Sequence, residues 1–260
     1  MMFISSILKG GLGNFLFQVA AGQSVAWRDN KEFICFIQTV HRIHSDVSTY
    51  YNNILRNVKF INNDISFPMY EEPFFHHKEI PTVEHSLTLD GYFQSEKYFI
   101  NHIEQIHKLF EIDNNTKQYL KNKYKNILTE NTCSIHVRRG NYLNLQHFHP
   151  VQSIEYYKKA ISFFDKDTTF LIFSDDMEWC KYEFQFLKNK FFIENNKDYE
   201  DLYLMSMCKN NIIANSSFSW WGSYLNKNIN KKVIAPKLWF GFGLSNNNTK
   251  DLYCSNWNII

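Results

Sequence analysis

Cys133-Ser134-Ile135-His136-Val137-Arg138-Arg139-Gly140-Asn141-Tyr142 reads as a short buried strand running straight into a cationic turn. Beyond it, Thr169 to Phe173, Asn211 to Ala214 and Lys232 to Ala235 read as further buried strands. Helix-compatible segments separate them at Ser153 to Asp165, Met177 to Leu187, Tyr199 to Met207 and Phe218 to Leu225. Alternating strand and helix predicts an α/β fold with a parallel, doubly wound sheet. Ligands of such sheets bind beyond the carboxyl ends of the strands. The residues there are Arg138, Arg139, Gly140 and Asn141, then Ser174, Asp175 and Asp176, then Asn215, Ser216, Ser217 and Phe218.

Upstream, the polar stretch from Asp113 to Asn131 carries no strand-like run and marks a boundary between two halves. Residues 1–125 are expected to form one domain and 126–260 a second, the last residues crossing back to the first. Glu96 to Phe110 has the apolar spacing of an amphipathic helix, whereas Phe33 to Leu89 is broken by prolines and Asn pairs into loops and short strands. At the start, Phe3 to Leu8 reads as a strand, stopped by Lys9-Gly10-Gly11-Leu12-Gly13 and followed by a helical stretch from Asn14 to Trp27. Such a junction offers backbone N–H groups and the positive end of a helix dipole to a phosphate or polar ligand. Tight-turn glycines are the competing reading.

Composition narrows the function classes. With 28 Lys plus Arg against 26 Asp plus Glu the charge is close to balanced, so no strong field steers nucleic acid, and the two adjacent arginines belong to no basic stripe. No run approaches the ~20 apolar residues of a membrane span, and no basic leader precedes the N-terminus. A cytoplasmic protein is expected, in the host cytoplasm if the source is viral. Five scattered cysteines, never paired as C-x-x-C, argue for reduced buried thiols.

Arginine's permanently charged planar fork suits a diphosphate and the charge that builds on a leaving nucleotide. Ser216 and Ser217 can cap a helix or donate to phosphate. Asp175 and Asp176 have three readings: helix capping, recognition of a base or ribose, and metal binding.

These residues resemble a known family. Gly10-Gly11-Leu12-Gly13-Asn14, with Phe17-Gln18 and Ala20, is similar to the G-G-L-G-N-Q-M-F-Q-Y-A signature of the inverting α-1,2-fucosyltransferases, glycosyltransferase family 11. Gly91-Tyr92-Phe93-Gln94-Ser95-Glu96-Lys97-Tyr98-Phe99 resembles that family's G-Y-[FW]-Q-S-E-K-Y-F segment. His136 to Tyr142 resembles its H-x-R-R-G-D-Y motif. Ser174-Asp175-Asp176 and Asn215 to Trp221 resemble its later motifs, with His149 and Tyr156-Tyr157 where the family has H-G and Y-Y. The ordered matches run from Gly10 to Trp221, most of the chain.

The resemblance implies a GT-B-like architecture, two Rossmann-like halves with parallel sheets facing a central cleft. It implies GDP-fucose as donor, no metal or other cofactor, and an oligosaccharide or glycoconjugate acceptor, with peripheral membrane contact if that acceptor is lipid-linked. Oligomeric state is left open. Arg138 would neutralise the leaving β-phosphate, while His136 and Arg139 would hold the diphosphate or its loop. Asp175 or Asp176, beside Ser174, would read guanosine, and Asn215, Ser216, Ser217 and Phe218 would bind phosphate or nucleoside. Gly11, Gly13 and Asn14 would contribute to the donor site; Gln94, Glu96 and Tyr142 fall on the acceptor side.

Two departures matter. Phe15-Leu16 replaces the family's Gln-Met, and Asn141 stands where the motif has Asp. An Asn accepts no proton at neutral pH, so this position is either structural, for instance pairing with an arginine, or the protein is impaired. His149 is then the candidate base, with Glu96 and Asp90 as alternatives and a plain loop histidine before Pro150 as the competing reading. Two other functions stay open: transfer from another nucleotide sugar, and catalytically idle binding of carbohydrate or nucleotide.

Overall fold

The computed structural model describes residues 2–37, 46–62 and 65–260. The chain divides into two compact units, Met1–Glu111 with Asn247–Cys254, and Ile112–Asn246 with Ser255–Ile260.

The first unit contains β1 (Phe3–Ser6), α1 (Leu12–Arg28), β2 (Glu32–Phe36), β3 (Phe60–Ile61), β4 (Met69–Glu71), β5 (Leu87–Asp90) and α2 (Ile103–Leu109). Its strands form one parallel sheet in the order β3-β2-β1-β5-β4. Chain order reverses between β1 and β5, so the crevice of this unit opens at Ile7–Gly13 and Gly91–Ser95. The glycine turn and the G-Y-F-Q-S segment are those two loops. α1 is apolar on most of its surface, with Phe15, Leu16, Phe17, Val19, Ala20 and Ala21 fully buried, which makes it the central helix of the unit. The helix expected over Glu96 to Phe110 is broken. Phe99, at φ −138° and ψ 15°, leaves helical geometry, so two short 3₁₀ turns over Glu96–Tyr98 and Ile100–His102 precede α2. Residues 247–254 join this unit through Asp251, whose backbone oxygen accepts from Ser95 Oγ at 2.6 Å and whose carboxylate accepts from Lys97 Nζ at 2.6 Å and His77 N at 3.1 Å.

The second unit contains α3 (Asn114–Lys123), β6 (Thr132–Val137), α4 (Ile154–Ile161), β7 (Thr169–Ser174), α5 (Met177–Glu183), β8 (Lys190–Phe192), α6 (Asp198–Met207), β9 (Asn210–Ile212), α7 (Ser217–Tyr224), β10 (Val233–Ala235) and β11 (Asn258–Ile259). All six strands are parallel, in the order β11-β10-β9-β6-β7-β8. This unit begins at Ile112 and takes in α3, which lies within the polar stretch. Asp113 caps α3 by accepting from Thr116 N at 2.9 Å, and Tyr124 OH, just past its end, donates to Asn196 Oδ1 at 2.9 Å ahead of α6. Only Leu120 of α3 is buried, which is why its sequence shows no apolar face. β8 and β11, three and two residues long at the sheet edges and partly exposed, give no strand-like signal.

Every residue of β6 is buried. Successive side chains of a strand point to opposite faces. Cys133, Ile135 and Val137 pack with Tyr157 and Ala160 of α4 and Phe170, Ile172 and Cys180. Ser134 and His136 serve the other face, where Ser134 Oγ accepts from Asn211 Nδ2 at 2.7 Å and His136 lies 5.4 Å from the Phe218 ring. All five cysteines are buried, and none is in a disulfide. No helix among the described residues is long and apolar enough to cross a membrane.

Candidate active site

In the second unit the chain runs outward from β6 in both directions, so the sheet's switch point lies between β6 and β9. The loops that follow those strands begin at Arg138 and Ile213. Tyr142 joins them, its hydroxyl donating to the Asn215 backbone oxygen at 3.3 Å.

The arginines are held by the acidic pair. Arg138 Nη1 lies 2.7 Å from Asp175 Oδ2, and Arg139 Nε donates to Asp176 Oδ2 at 2.8 Å. Asp175 Oδ1 accepts from the backbone N–H groups of Arg139 and Gly140 at 2.8 and 3.1 Å, and Asp176 Oδ1 caps α5 by accepting from Trp179 N at 3.3 Å. Ser174 Oγ accepts from Asp176 N at 2.9 Å. Each oxygen of both carboxylates therefore has a protein donor, and the pair sets where the arginines sit. The Arg139 guanidinium also lies over the Trp179 ring, 4.2 Å from its centroid. Arg139 is thereby enclosed, whereas Arg138 keeps a third of its side chain exposed and is free to meet a ligand.

Asn141 has a definite role. Its Oδ1 accepts from Arg138 Nη2 at 2.5 Å. An amide oxygen makes the contact that a carboxylate would make, so the substitution keeps the arginine in place without supplying a base.

His136 is buried, its Nδ1 without a protein partner, and burial pushes its pKa down to about 4 against the pull of Asp175. The ring is neutral at physiological pH. His149 stacks on Tyr142 at 4.9 Å and 20°, and Phe240 lies 6.0 Å from it. Burial first, and then the Arg138 charge, lower its pKa, which favours the unprotonated imidazole.

Asn215 is an anchor. Its Nδ2 donates to Pro150 O at 2.9 Å and Trp239 O at 3.1 Å, while its buried Oδ1 has no protein partner. Ser216 occupies the N-cap of α7 without a side-chain cap bond. Ser217 and Phe218 form the first turn, so the free N–H groups of α7 open at the switch point.

The first unit carries a separate polar lattice at its own switch point. Gln18, fully buried, accepts from Lys9 N at 3.0 Å and donates to the backbone oxygens of Lys9 and Gly91, both at 3.2 Å. Asn14 Oδ1 accepts from Gln94 Nε2 at 2.9 Å, and Lys9 Nζ pairs with Asp90 at 2.5 Å. Asp90 is thus committed to an ion pair. Glu96 opens a 3₁₀ turn capped by the Ser95 hydroxyl. Gly10, absent from the sequence-derived site, is the constrained glycine: its φ is +88°, and a Cβ would lie 2.2 Å from Asn14 Nδ2. A Cβ on Gly11 would meet nothing within 4 Å.

Glu72 was also missed. Its half-buried carboxylate accepts from Tyr92 N at 2.7 Å and from Phe93 N at 3.0 and 3.1 Å, and burial raises its pKa despite those bonds. It holds Phe93 at φ +50°. Nothing local in the broken stretch around Glu72 marks it out. Among the described residues no three His, Cys, Asp or Glu side chains are grouped to hold a metal ion.

Residues 23–260 match Glycosyl transferase family 11. An alpha-1,2-colitosyltransferase of Escherichia coli is 31% identical over 272 residues, covering 92% of this chain and 93% of that protein. The O-antigen biosynthesis glycosyltransferase WbnK of Escherichia coli is 36% identical over 189 residues, 67% of this chain and 61% of that protein, so the match spans less than two thirds of that relative. Among solved structures, the NodZ alpha-1,6-fucosyltransferase soaked with GDP-fucose aligns with a TM-score of 0.58 at 15% identity, covering 86% of this chain and 92% of its own. A glycosyl transferase family 9 structure from Veillonella parvula aligns at 0.55 and 10% identity, covering 100% and 86%. At these identities the structures speak to fold alone, and with the two parallel sheets they make the fold GT-B-like.

Proposed function

We propose that this chain, which belongs to glycosyl transferase family 11, transfers L-fucose from GDP-fucose to a sugar hydroxyl, the 2-OH of a galactose-type acceptor, with inversion and without a metal ion. The observation that carries the reading is the switch point itself. It brings an arginine that is a third exposed, held by Asp175 and Asn141, beside the open N-terminus of α7.

In this mechanism GDP lies across the ends of β6 and β9. Its phosphates meet the Arg138 guanidinium and the first N–H groups of α7, and Arg139 and His136 support that loop from below. The bond from the sugar C1 to the β-phosphate oxygen breaks, C1 takes on oxocarbenium character, and the negative charge that gathers on GDP is neutralised by Arg138. A fixed donor costs no reorganisation at that moment, which is what the Asp175 and Asn141 contacts supply. The acceptor oxygen bonds C1 from the opposite face and gives its proton to a base. His149 is the proposed base, because it stacks on Tyr142, over which Arg138 lies, and its burial favours the unprotonated imidazole. Asp175 and Asp176 act by positioning, Asn215 by fixing two loops, and Gln94 and Glu96 are proposed to hydrogen-bond acceptor hydroxyls.

A second reading is favoured by one comparison: the colitosyltransferase is alike over 93% of its length, so colitose is the rival sugar. Turnover measured as GDP release from GDP-fucose with β-galactosides tests the proposal, in parallel with GDP-mannose, UDP-sugars and nucleotide-activated colitose. Turnover confined to one of the others refutes fucose; GDP binding with no turnover on any of them points to an idle binding protein. Full activity in excess chelator is expected, and loss restored only by a divalent ion overturns the metal-free step.

A further inference from the structure

Two loops beside the β6 end are locked together. Gly241 N donates to Phe148 O at 2.9 Å and Gly243 N to His147 O at 2.8 Å. A Cβ at Gly241 would lie 2.5 Å from the His147 backbone oxygen, so glycine is required for this approach. Asn215 ties Pro150 to Trp239, and Gln152 Nε2 donates to Leu238 O at 3.0 Å. The clamp leaves Phe242 83% exposed and Phe148 42% exposed. Single exposed apolar residues need no explanation. A ring fixed outward on a doubly pinned loop is different, because nothing prevents a mobile loop from folding such a ring inward.

Two groups of rings accompany this clamp, one adjoining Arg138 and one on the clamped loops themselves. The Arg138 guanidinium lies over Tyr142 at 5.2 Å, Tyr142 stacks on His149, and His149 meets Phe240. His147 lies between Phe148, at 5.1 Å, and Phe242, at 5.8 Å. Such rings present flat apolar faces flanked by polar edges, which match the C–H faces and hydroxyl rims of linked pyranoses.

We propose that these two groups of rings form the platform for the acceptor saccharide, with Phe242 stacking on a sugar beyond the one that receives fucose. The inference rests on the transferase reading above and adds to it a binding surface on the second unit. An acceptor that reaches Phe242 must carry at least a second ring, so a monosaccharide makes the inner contacts only.

The test compares KM and kcat for lactose and for methyl β-D-galactopyranoside, with GDP-fucose saturating. Phe242→Ala is expected to raise the lactose KM about two- to tenfold, the size of one aromatic stack, with the effect on KM and not kcat and with little change for the monosaccharide. Phe242→Trp should return the KM to the wild-type value, and Phe242→Leu should leave it raised. An unaltered lactose KM in Phe242→Ala overturns the platform, and so does a wild-type KM in Phe242→Leu, which would reduce the contact to generic apolarity. Cosedimentation with phosphatidylglycerol vesicles, lost in Phe242→Ala while the lactose KM stays put, would make the surface a lipid contact and overturn it as well. Failure of the reading beneath is separable: the wild-type protein would then bind GDP yet turn over neither acceptor, and the platform would fall with it.

Discussion

Replacing Arg138 separates its part in catalysis from its part in the fold. The guanidinium is about a third exposed, as is Asp175 at 27%, and an ion pair that open contributes at most about 1 kcal/mol. Its position over Tyr142 adds roughly 0.5–1 kcal/mol. Arg138→Ala should thus cost about 1–2 kcal/mol of stability, a fall in Tm on the order of 2–8 °C for a chain of this size. Catalysis should suffer far more. Losing one fixed donor to a developing anion costs about 3–4 kcal/mol, or 10²- to 10³-fold in kcat. Arg138→Lys keeps the charge but cannot reach Asp175, Asn141 and a phosphate together, so about a tenfold loss is expected. GDP release under saturating donor, read beside a thermal melt of the same samples, gives both quantities. A folded Arg138→Ala variant within threefold of wild-type kcat would refute the role in charge neutralisation, and a Tm drop well beyond 10 °C would make the residue chiefly structural.

Asn141→Asp should hold kcat within about threefold, since a carboxylate takes the same Arg138 contact, whereas Asn141→Ala should lower it about tenfold by freeing the arginine; steady-state kinetics on both variants decide this. Burial raises the Asp201 pKa from 3.8 to about 7, opposed by the Asn196 amide and aided by Asp198 and Glu200. Native Asp201 therefore keeps its proton where the unfolded chain has lost it. Its contribution to stability is complete below about pH 4 and is lost as pH rises to 7, on the order of 4 kcal/mol in all. Asp201→Asn should flatten that part of a Tm-against-pH curve, and an unchanged slope would contradict the assignment. Gln18→Leu strands the backbone groups of Lys9 and Gly91 and should cost roughly 2–4 kcal/mol in a urea titration. Burial raises the thiol pKa values of Cys35, Cys133, Cys180 and Cys208, so these four should resist a thiol reagent at pH 8 and react fully in guanidinium, a difference seen by mass spectrometry.

The parallel sheet of the second unit was legible in the sequence because its central strands are buried on both faces. Such strands show as short runs bare of charge, and Arg138, Asp175 and Asn215 follow them within one to three residues whatever the rest of the chain does. The first unit gave less away. β3 and β4, two and three residues long and half exposed, carry no periodicity, and Glu72 and Asp251 act on backbone 20 or more residues distant. Only the tertiary structure turned Asp175 and Asp176 onto the arginines, gave Asn141 its partner, committed Asp90 to Lys9 and set Phe242 outward on its clamp. Residue type and strand pattern are local properties that a sequence displays directly. Which donor meets which acceptor depends on strand order, and strand order is fixed by packing among segments far apart in the chain.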